Sequence, residues 1–399
     1  MERLTVAPRP DWQTRVEAEG MLWHTAGGSP YWNEGVCYRF SESEVEQIHD
    51  ATEACHRMAM AAVATLIADG QLADYGYDAA AISLIEQSWR NAERDIYGRI
   101  DFAWDGRGAP KMLEYNADTP TSLLEAAVIQ WSWLTDVYGA GQTAQYNDLH
   151  AALVDRLRQW RSDHGSFLHV SCVFPHDEDT GTVAYIESAA REAGLEVKFV
   201  PISAIGHTPQ DGGLFLDQDD QPIRLLFKLY PWDWLLADDY GPRLVDAVLK
   251  GRIRLFEPAW KMLLANKRLL VKMWQMNPDS PYLLETQRTE RPLRAKMERG
   301  ESSGYVRKPV LGREGQNIAI FRRGEVGASE QTSGNYGDND VVYQDLASLF
   351  VAGSGHDRVH ALIGSWVIGG EAKGMGVRES ASAITDDRAR FVPHYFSEN

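Results

Sequence analysis

The stretch KMLEYNADTPTSLLEAA, Lys111 to Ala127, decides how this 399-residue chain is read. Its first six residues have the texture of a strand that ends in Glu114-Tyr115-Asn116. Glu114 and Asn116 are two residues apart, so on a strand they point to the same face. A small polar loop follows. Ser122-Leu-Leu-Glu125 then has the spacing of a capping box and opens a helix toward Tyr138. Upstream, Tyr97–Trp104 reads as a second strand, and the turn-rich DGRGAP between the two predicts a hairpin. The natural register sets Asp101 opposite Glu114 and Arg99 opposite Asn116, with all four on one face.

Two facing carboxylates repel each other, and a divalent cation removes the conflict. Mg²⁺ takes oxygen ligands, commonly one or two carboxylates with phosphate oxygens and water. Asp101, Glu114 and the Asn116 carbonyl suit it, and Arg99 beside them suits a terminal phosphate. Taken alone, the pattern also suits a strand face turned to water, so other segments must decide.

The segment YVRKPVLGREGQNI, residues 305–318, carries Arg307 and Lys308 on a strand that runs into Leu-Gly-Arg-Glu-Gly. Gly312 and Gly315 let backbone N–H groups turn toward an anion, and Arg313 adds charge. An ordinary hairpin turn fits the same residues. Neither the Walker pattern nor a Rossmann fingerprint after a strand occurs. Two further cations stand out: Lys267 in LLANKRLL, near a helix start, and Arg378 in KGMGVRES, at the end of a glycine-rich strand. Each by itself is more often a solvated surface residue.

Elsewhere the pattern is mixed. Residues 41–69 read as a long amphipathic helix with a Ser41/Glu44 capping box, and Asp78–Asn91 as another. A helix is expected from about Gln145 to Trp160. The apolar strand FLHVSCVF, from Phe167, begins a small α/β unit with a helix from about Thr182 to Ala193, strand LEVKFVP, and strands near 213–216 and 223–229. Such alternation predicts a partly parallel sheet. Helix Ala259–Met276 follows, and the chain is strand-rich from 304 onward. The charged run from Arg288, RTERPLRAKMERGESSG, reads as exposed.

Composition narrows the function. A net charge of −17 argues against a nucleic-acid partner. No run of about 18 apolar residues predicts a membrane span. The N-terminus lacks the apolar core of a signal peptide, so the cytoplasm is the expected compartment. Three cysteines, with no C-x-x-C pair, predict neither a disulfide framework nor a structural zinc site. The 11 histidines show no metal-binding spacing.

Together, RIDFAWDGRGAPKMLEYNADTPTSLLEAA, KLYPWDW, FEPAWKMLLANKRLL, YVRKPVLGREGQNI and IGSWVIGGEAKGMGVRES resemble the synthetase part of the glutathionylspermidine synthase family. The likeness runs from Pro30 to Arg378 and is nearest to single-module members without an N-terminal amidase. It implies an α/β (α+β) chain with a circularly permuted ATP-grasp fold, because the acidic hairpin precedes the lysines. It also implies three regions: a helical N-terminal region with the metal-binding hairpin at 97–116 (1–165), a preATP-grasp-like α/β subdomain (166–257) and an ATP-grasp nucleotide-binding region (258–399).

The resemblance implies an ATP-dependent, ADP-forming acid–amine ligase that uses Mg²⁺. Asp101, Glu114 and Asn116 match the family's metal ligands. Arg99, Lys267 and Lys308 match its ATP contacts, with Gly312 and Gly315 in the phosphate-side loop. Arg99, Arg313 and Arg378 match its active-site arginines. Gln344 and Leu346 match the nucleotide hinge, and Thr119 and Thr121 the acid-binding segment. The family's S-x-S-C there reads Thr119-Pro120-Thr121-Ser122. The implied partners are a small or peptide-like carboxylic acid, glutathione being one candidate, and an amine, a polyamine being one candidate. An ATP-binding protein of this fold without ligase activity, a sensor or scaffold, is the alternative reading.

Overall fold

The hairpin forms in the expected register. In the computed structural model, which describes residues 1–141, 143–208, 213–337 and 340–397, strands Tyr97–Ala103 and Lys111–Asn116 pair antiparallel. Arg99 stands opposite Asn116 and Asp101 opposite Glu114, with the register shifting immediately after Asp101. The hairpin is one end of a larger antiparallel sheet. Strand Val359–Ile368 pairs with Tyr97–Ala103, Glu371–Ser380 pairs next, and Arg390–Val392 closes the far edge. Residues far apart in sequence therefore share one surface.

The alternation of side chains divides that sheet. Ile100, Phe102 and Tyr115 turn to one face and join the core beneath helix Glu42–Ala68. That helix starts as read, with both bonds of the Ser41/Glu44 capping box formed. Ala51, Cys55, Ala59 and Ala62 are fully buried along it. These small side chains let the helix lie close to the sheet, and a larger residue there would overpack it by roughly 1–3 kcal/mol. Two polar bonds fix its position: Thr52 Oγ1 donates to Ser365 Oγ at 2.7 Å, and His56 Nδ1 lies 2.9 Å from the Tyr115 hydroxyl. Arg99, Asp101, Glu114 and Asn116 are left on the opposite face.

The apolar run from Phe167 forms a four-stranded sheet in the order Arg254–Phe256, Leu225–Leu229, Phe167–Cys172, Glu196–Phe199. Every pairing in it is parallel, where a partly parallel sheet was expected. Its crossover helix is Asp177–Glu192, five residues longer at its start than the apolar periodicity indicates. His176 caps it by accepting from Asp179 N, and three acidic residues occupy the first turn, where the helix dipole favours them. A third sheet, antiparallel, runs Thr286–Gln287, Val341–Asp345, Gly304–Pro309, Ala319–Arg322, Glu330–Gln331.

Three sequence expectations change. The helix expected from Gln145 begins at Leu149, because the side-chain amides of Gln145 and Asn147 bond to backbone carbonyls of other segments. The helix read as Ala259–Met276 is broken: a 3₁₀ turn and a short helix end at Ala265, and Arg268–Met276 starts anew. Asn266 is extended, and its Oδ1 accepts from Arg268 N at 2.9 Å, so a local side-chain bond replaces a helical one. The Ser122 capping box does not form. Ser122 has φ 66°, its hydroxyl donates to Thr121 O, and the helix opens with a π turn, Glu125–Ile129.

The three cysteines are buried and free. Burial pushes all three thiols up, Cys37 to about 11, so none is a ready nucleophile. Among the described residues no helix is long and apolar enough to cross a membrane.

Candidate active site

A cavity of about 810 Å³ opens over the polar face of the hairpin. The hairpin forms one wall. The strand Gly304–Pro309 and the loop after it form a second. The segment Ala117–Thr121 and the ends of the parallel strands form a third. Arg99, Asp101, Glu114, Asn116, Thr119, Thr121, Lys267, Lys308, Gly312, Arg313, Gly315, Leu346 and Arg378 all line it. Gln344 stands behind this surface, where its Oε1 accepts from Lys308 Nζ at 2.7 Å and its amide donates to Met112 O.

Asp101 is the centre of the first ionic group. Arg99 meets it with two nitrogens, at 2.6 and 3.0 Å, and Arg378 Nη2 reaches it at 3.2 Å. Arg99 also donates to Thr121 O and Ser122 Oγ, tying the hairpin to the loop beyond it. Gly364 lies opposite Asp101 on the neighbouring strand. A Cβ there would come within 2.7 Å of Arg99 Cδ, so glycine leaves the path open for this side chain.

Glu114 is the centre of the second. Lys267 Nζ is 3.0 Å from Glu114 Oε2 and donates to Gly312 O at 2.6 Å. The helix break at Asn266 makes this possible, since Lys267 N is itself tied to Val310 O. Burial alone would raise Glu114, but Lys267 and Lys308, with the Asn116 amide, hold it at about 2. Burial pushes Lys308 down to about 8, with Glu114 partly offsetting it.

Asn116 Nδ2 joins the two groups, donating to Asp101 Oδ2 at 3.2 Å and to Glu114 Oε1 at 3.0 Å. Two carboxylates and an amide thus converge, all with hard oxygen atoms, and turning the amide would present Oδ1 in place of Nδ2. That donor set fits Mg²⁺. Among the described residues no group of three or more His, Cys, Asp and Glu side chains stands together as a metal cage.

Several lining residues escaped the sequence reading. Asp118, buried, accepts from Lys228 Nζ at 2.7 Å and from Trp232 N at 2.7 Å. A charge inside the otherwise apolar strand Leu225–Leu229 was the available signal for Lys228. Asp179 and His176 line the same end of the cavity. Burial pushes Asp179 up to about 6. Arg313 is paired with Asp233 of the KLYPWDW segment, 80 positions away, a contact no local pattern announces.

The fold is a mixed α/β one shared with a solved glutathione synthetase-like protein. A solved glutathione synthetase-like effector from Globodera pallida superimposes with a TM-score of 0.54 over 90% of this chain and 89% of that one, at 10% identity. The chain belongs to the glutathionylspermidine synthase family: residues 3–397 match the family described as "Glutathionylspermidine synthase preATP-grasp".

It is 37% identical to a Haemophilus influenzae protein provisionally named an acid–amine ligase, over 99% of this chain and 100% of that one. It is 30% identical to the trypanothione synthetase of Crithidia fasciculata, over 75% of this chain and 47% of that protein. It is 25% identical to the bifunctional glutathionylspermidine synthetase/amidase of Escherichia coli, over 89% of this chain and 58% of that protein. The chain therefore matches about half the length of these last two. As a member of this family, the protein is an ATP-dependent, amide-forming ligase.

Proposed function

We propose that the protein activates a carboxylic acid as its acyl phosphate and transfers the acyl group to an amine, with the nucleotide in the cavity over the hairpin. The observation that carries this reading is the convergence of Asp101, Glu114 and Asn116 with Arg99, Arg378, Lys267 and Lys308 around one cavity. In the first step a substrate carboxylate oxygen attacks the γ-phosphorus of ATP. The bond to the bridging oxygen breaks and ADP leaves. In the second, the amine nitrogen attacks the acyl carbon, the acyl C–O bond breaks, and phosphate leaves as the nitrogen loses a proton.

The side chains supply positioning and charge rather than covalent chemistry. Arg99 and Arg378 face the transferred phosphoryl group and, through Thr121, the acid. Lys267 and Lys308 hold the nucleotide phosphates. The loop Leu311–Gln316 covers them and keeps water from the acyl phosphate. Asp101, Glu114 and Asn116 would hold Mg²⁺, which neutralises phosphate charge. Thr119 and Thr121 border the place for the acid. Leu346 borders the nucleotide cleft, with Gln344 fixing Lys308. The permuted ATP-grasp order, with regions 1–165, 166–257 and 258–399, is supported by the chain ends: His394–Ser397 pairs with Val36–Ser41 beside Glu2–Thr5.

The names of the relatives point to glutathione and a polyamine as the first acid and amine to try. A coupled assay of ADP release across acid and amine pairs, beginning with glutathione and spermidine, tests the proposal. ADP release that requires both partners is expected. Release that ignores either one, or none with any pair, overturns it.

A further inference from the structure

The cations around the cavity differ in what neutralises them. Arg99 and Arg378 pair with Asp101, and Lys267 pairs with Glu114, so their counter-ions belong to the hairpin itself. Arg313 pairs instead with Asp233, in the first turn of the short helix Trp232–Ala237. Nη1 meets Oδ2 at 3.2 Å while Nη2 meets Oδ1, so the contact is a two-pronged fork. Nη1 also approaches the Tyr336 hydroxyl at 3.5 Å, and the guanidinium lies 5.8 Å from the centre of the Trp234 ring. Asp233 has no place in the metal group and comes from a separate part of the chain.

The same contact closes the glycine-rich loop. Gly312 O is held by Lys267, Arg313 by Asp233, and Gly315 by close fit. At Gly315, with φ 66°, an added Cβ would lie 2.5 Å from Thr385 O, so the loop is seated against backbone on that side. Of these three anchors only the Arg313 fork is an ion pair between side chains that are each about a quarter exposed, 23% and 26%. A carboxylate and a phosphate offer a guanidinium the same two-oxygen edge. One can therefore replace the other without a change in the kind of bond.

We propose that Asp233 is a stand-in anion for Arg313, holding it against Trp234 and the glycine-rich loop in its closed place until a nucleotide phosphate takes over the guanidinium. This rests on the reading of the cavity as a MgATP site. Asp233 is then a positioning residue that acts through Arg313. The nucleotide must outcompete it, so the pair lowers apparent affinity by the share of molecules in which the fork is made.

Calorimetric titration of MgATP into the full chain tests this in wild type, Asp233→Asn, Arg313→Ala and the double variant. Asp233→Asn should tighten binding about two- to five-fold, the effect of losing a partly exposed ion pair. The gain should vanish when Arg313→Ala is also present. Asp233→Ser should reproduce it, with thermal melts reporting the fold. Unchanged or weaker binding in folded variants overturns the proposal, as does a gain that persists without Arg313. Loss of the fold in both Asp233 variants would make the residue structural and overturn it too. Failure of the wild type to bind MgATP would overturn the nucleotide reading as well, which separates the two.

Discussion

Asp101 and Glu114 face each other across the hairpin, and the one amide of Asn116 donates to both, at 3.2 and 3.0 Å. An amide between two carboxylates is a weak substitute for a cation. Most of the compensation comes from cations: Arg99 and Arg378 on Asp101, Lys267 on Glu114. The arrangement is costly for folding alone and coherent for holding a metal between an acidic wall and phosphates.

Glu114→Ala should therefore weaken Mg²⁺-dependent ATP binding by at least about ten-fold. Removing the carboxylate also frees Lys267 for phosphate, so binding of ATP without Mg²⁺ should fall much less. Calorimetry with and without the metal separates the two effects. Equal losses in both arms would take Glu114 out of the metal group and leave it a counter-ion for Lys267.

Lys308 gives a pH signature. Burial holds it at about 8 in the free protein, so it sheds its proton just above neutrality. Phosphate oxygens favour the charged form and raise that value on binding. Between pH 8 and about 10, MgATP binding should take up part of a proton, about half at pH 8 and about three-quarters at pH 8.5, and affinity should fall as pH rises. Titrations at pH 8.5 in two buffers of different ionisation enthalpy measure the uptake. Lys308→Met should abolish it, and the same uptake in that variant would assign the proton to another group.

Lys228 and Asp118 form a buried pair that links the parallel sheet to the loop before Thr119. Lys228 also donates to Tyr230 O at 3.0 Å, and the second Asp118 oxygen takes Trp232 N. Lys228→Met strands a buried carboxylate and should cost about 3–5 kcal/mol. Asp118→Asn in the same chain should restore part of that loss. Urea unfolding of the two single variants and the double variant gives the coupling; strictly additive losses would show that the pair is not a unit.

The hairpin was legible because its information is local: a strand period of two, a turn of fixed composition and charges that make sense only when paired. The helix break at Asn266 was not, since apolar periodicity runs straight through it and the cause is one side-chain bond to Arg268 N. The Ser122 box had the right spacing, but Glu125 turns to partners 102 and 94 positions earlier, Trp23 and Tyr31. Asp233 and Asp118 lay in recognisable segments, yet their roles depend on Arg313 and Lys228, which only the tertiary fold brings near. Sequence pattern thus reached the acidic face of the cavity and stopped at the contacts between structural units.

Glu125 leads to a stability prediction. It is fully buried, its Oε1 accepts from Trp23 Nε1 at 2.9 Å and the Tyr31 hydroxyl at 2.8 Å, and its Oε2 finds no partner among the described residues. Burial, with Glu178 on the neighbouring helix adding to it, pushes the carboxyl up to about 7, while the two donors pull the other way. A carboxyl raised in the fold stabilises fully below its unfolded value and loses that contribution as pH rises through the folded one. Wild-type stability should thus drop by about 2–3 kcal/mol between pH 4.5 and 8 from this residue. Glu125→Gln cannot ionise, so urea unfolding of the variant should show a flatter pH profile over that window, whatever its absolute stability. An unchanged slope would mean that the lone oxygen is solvated, and that Glu125 is ionised in the fold as it is in the unfolded chain.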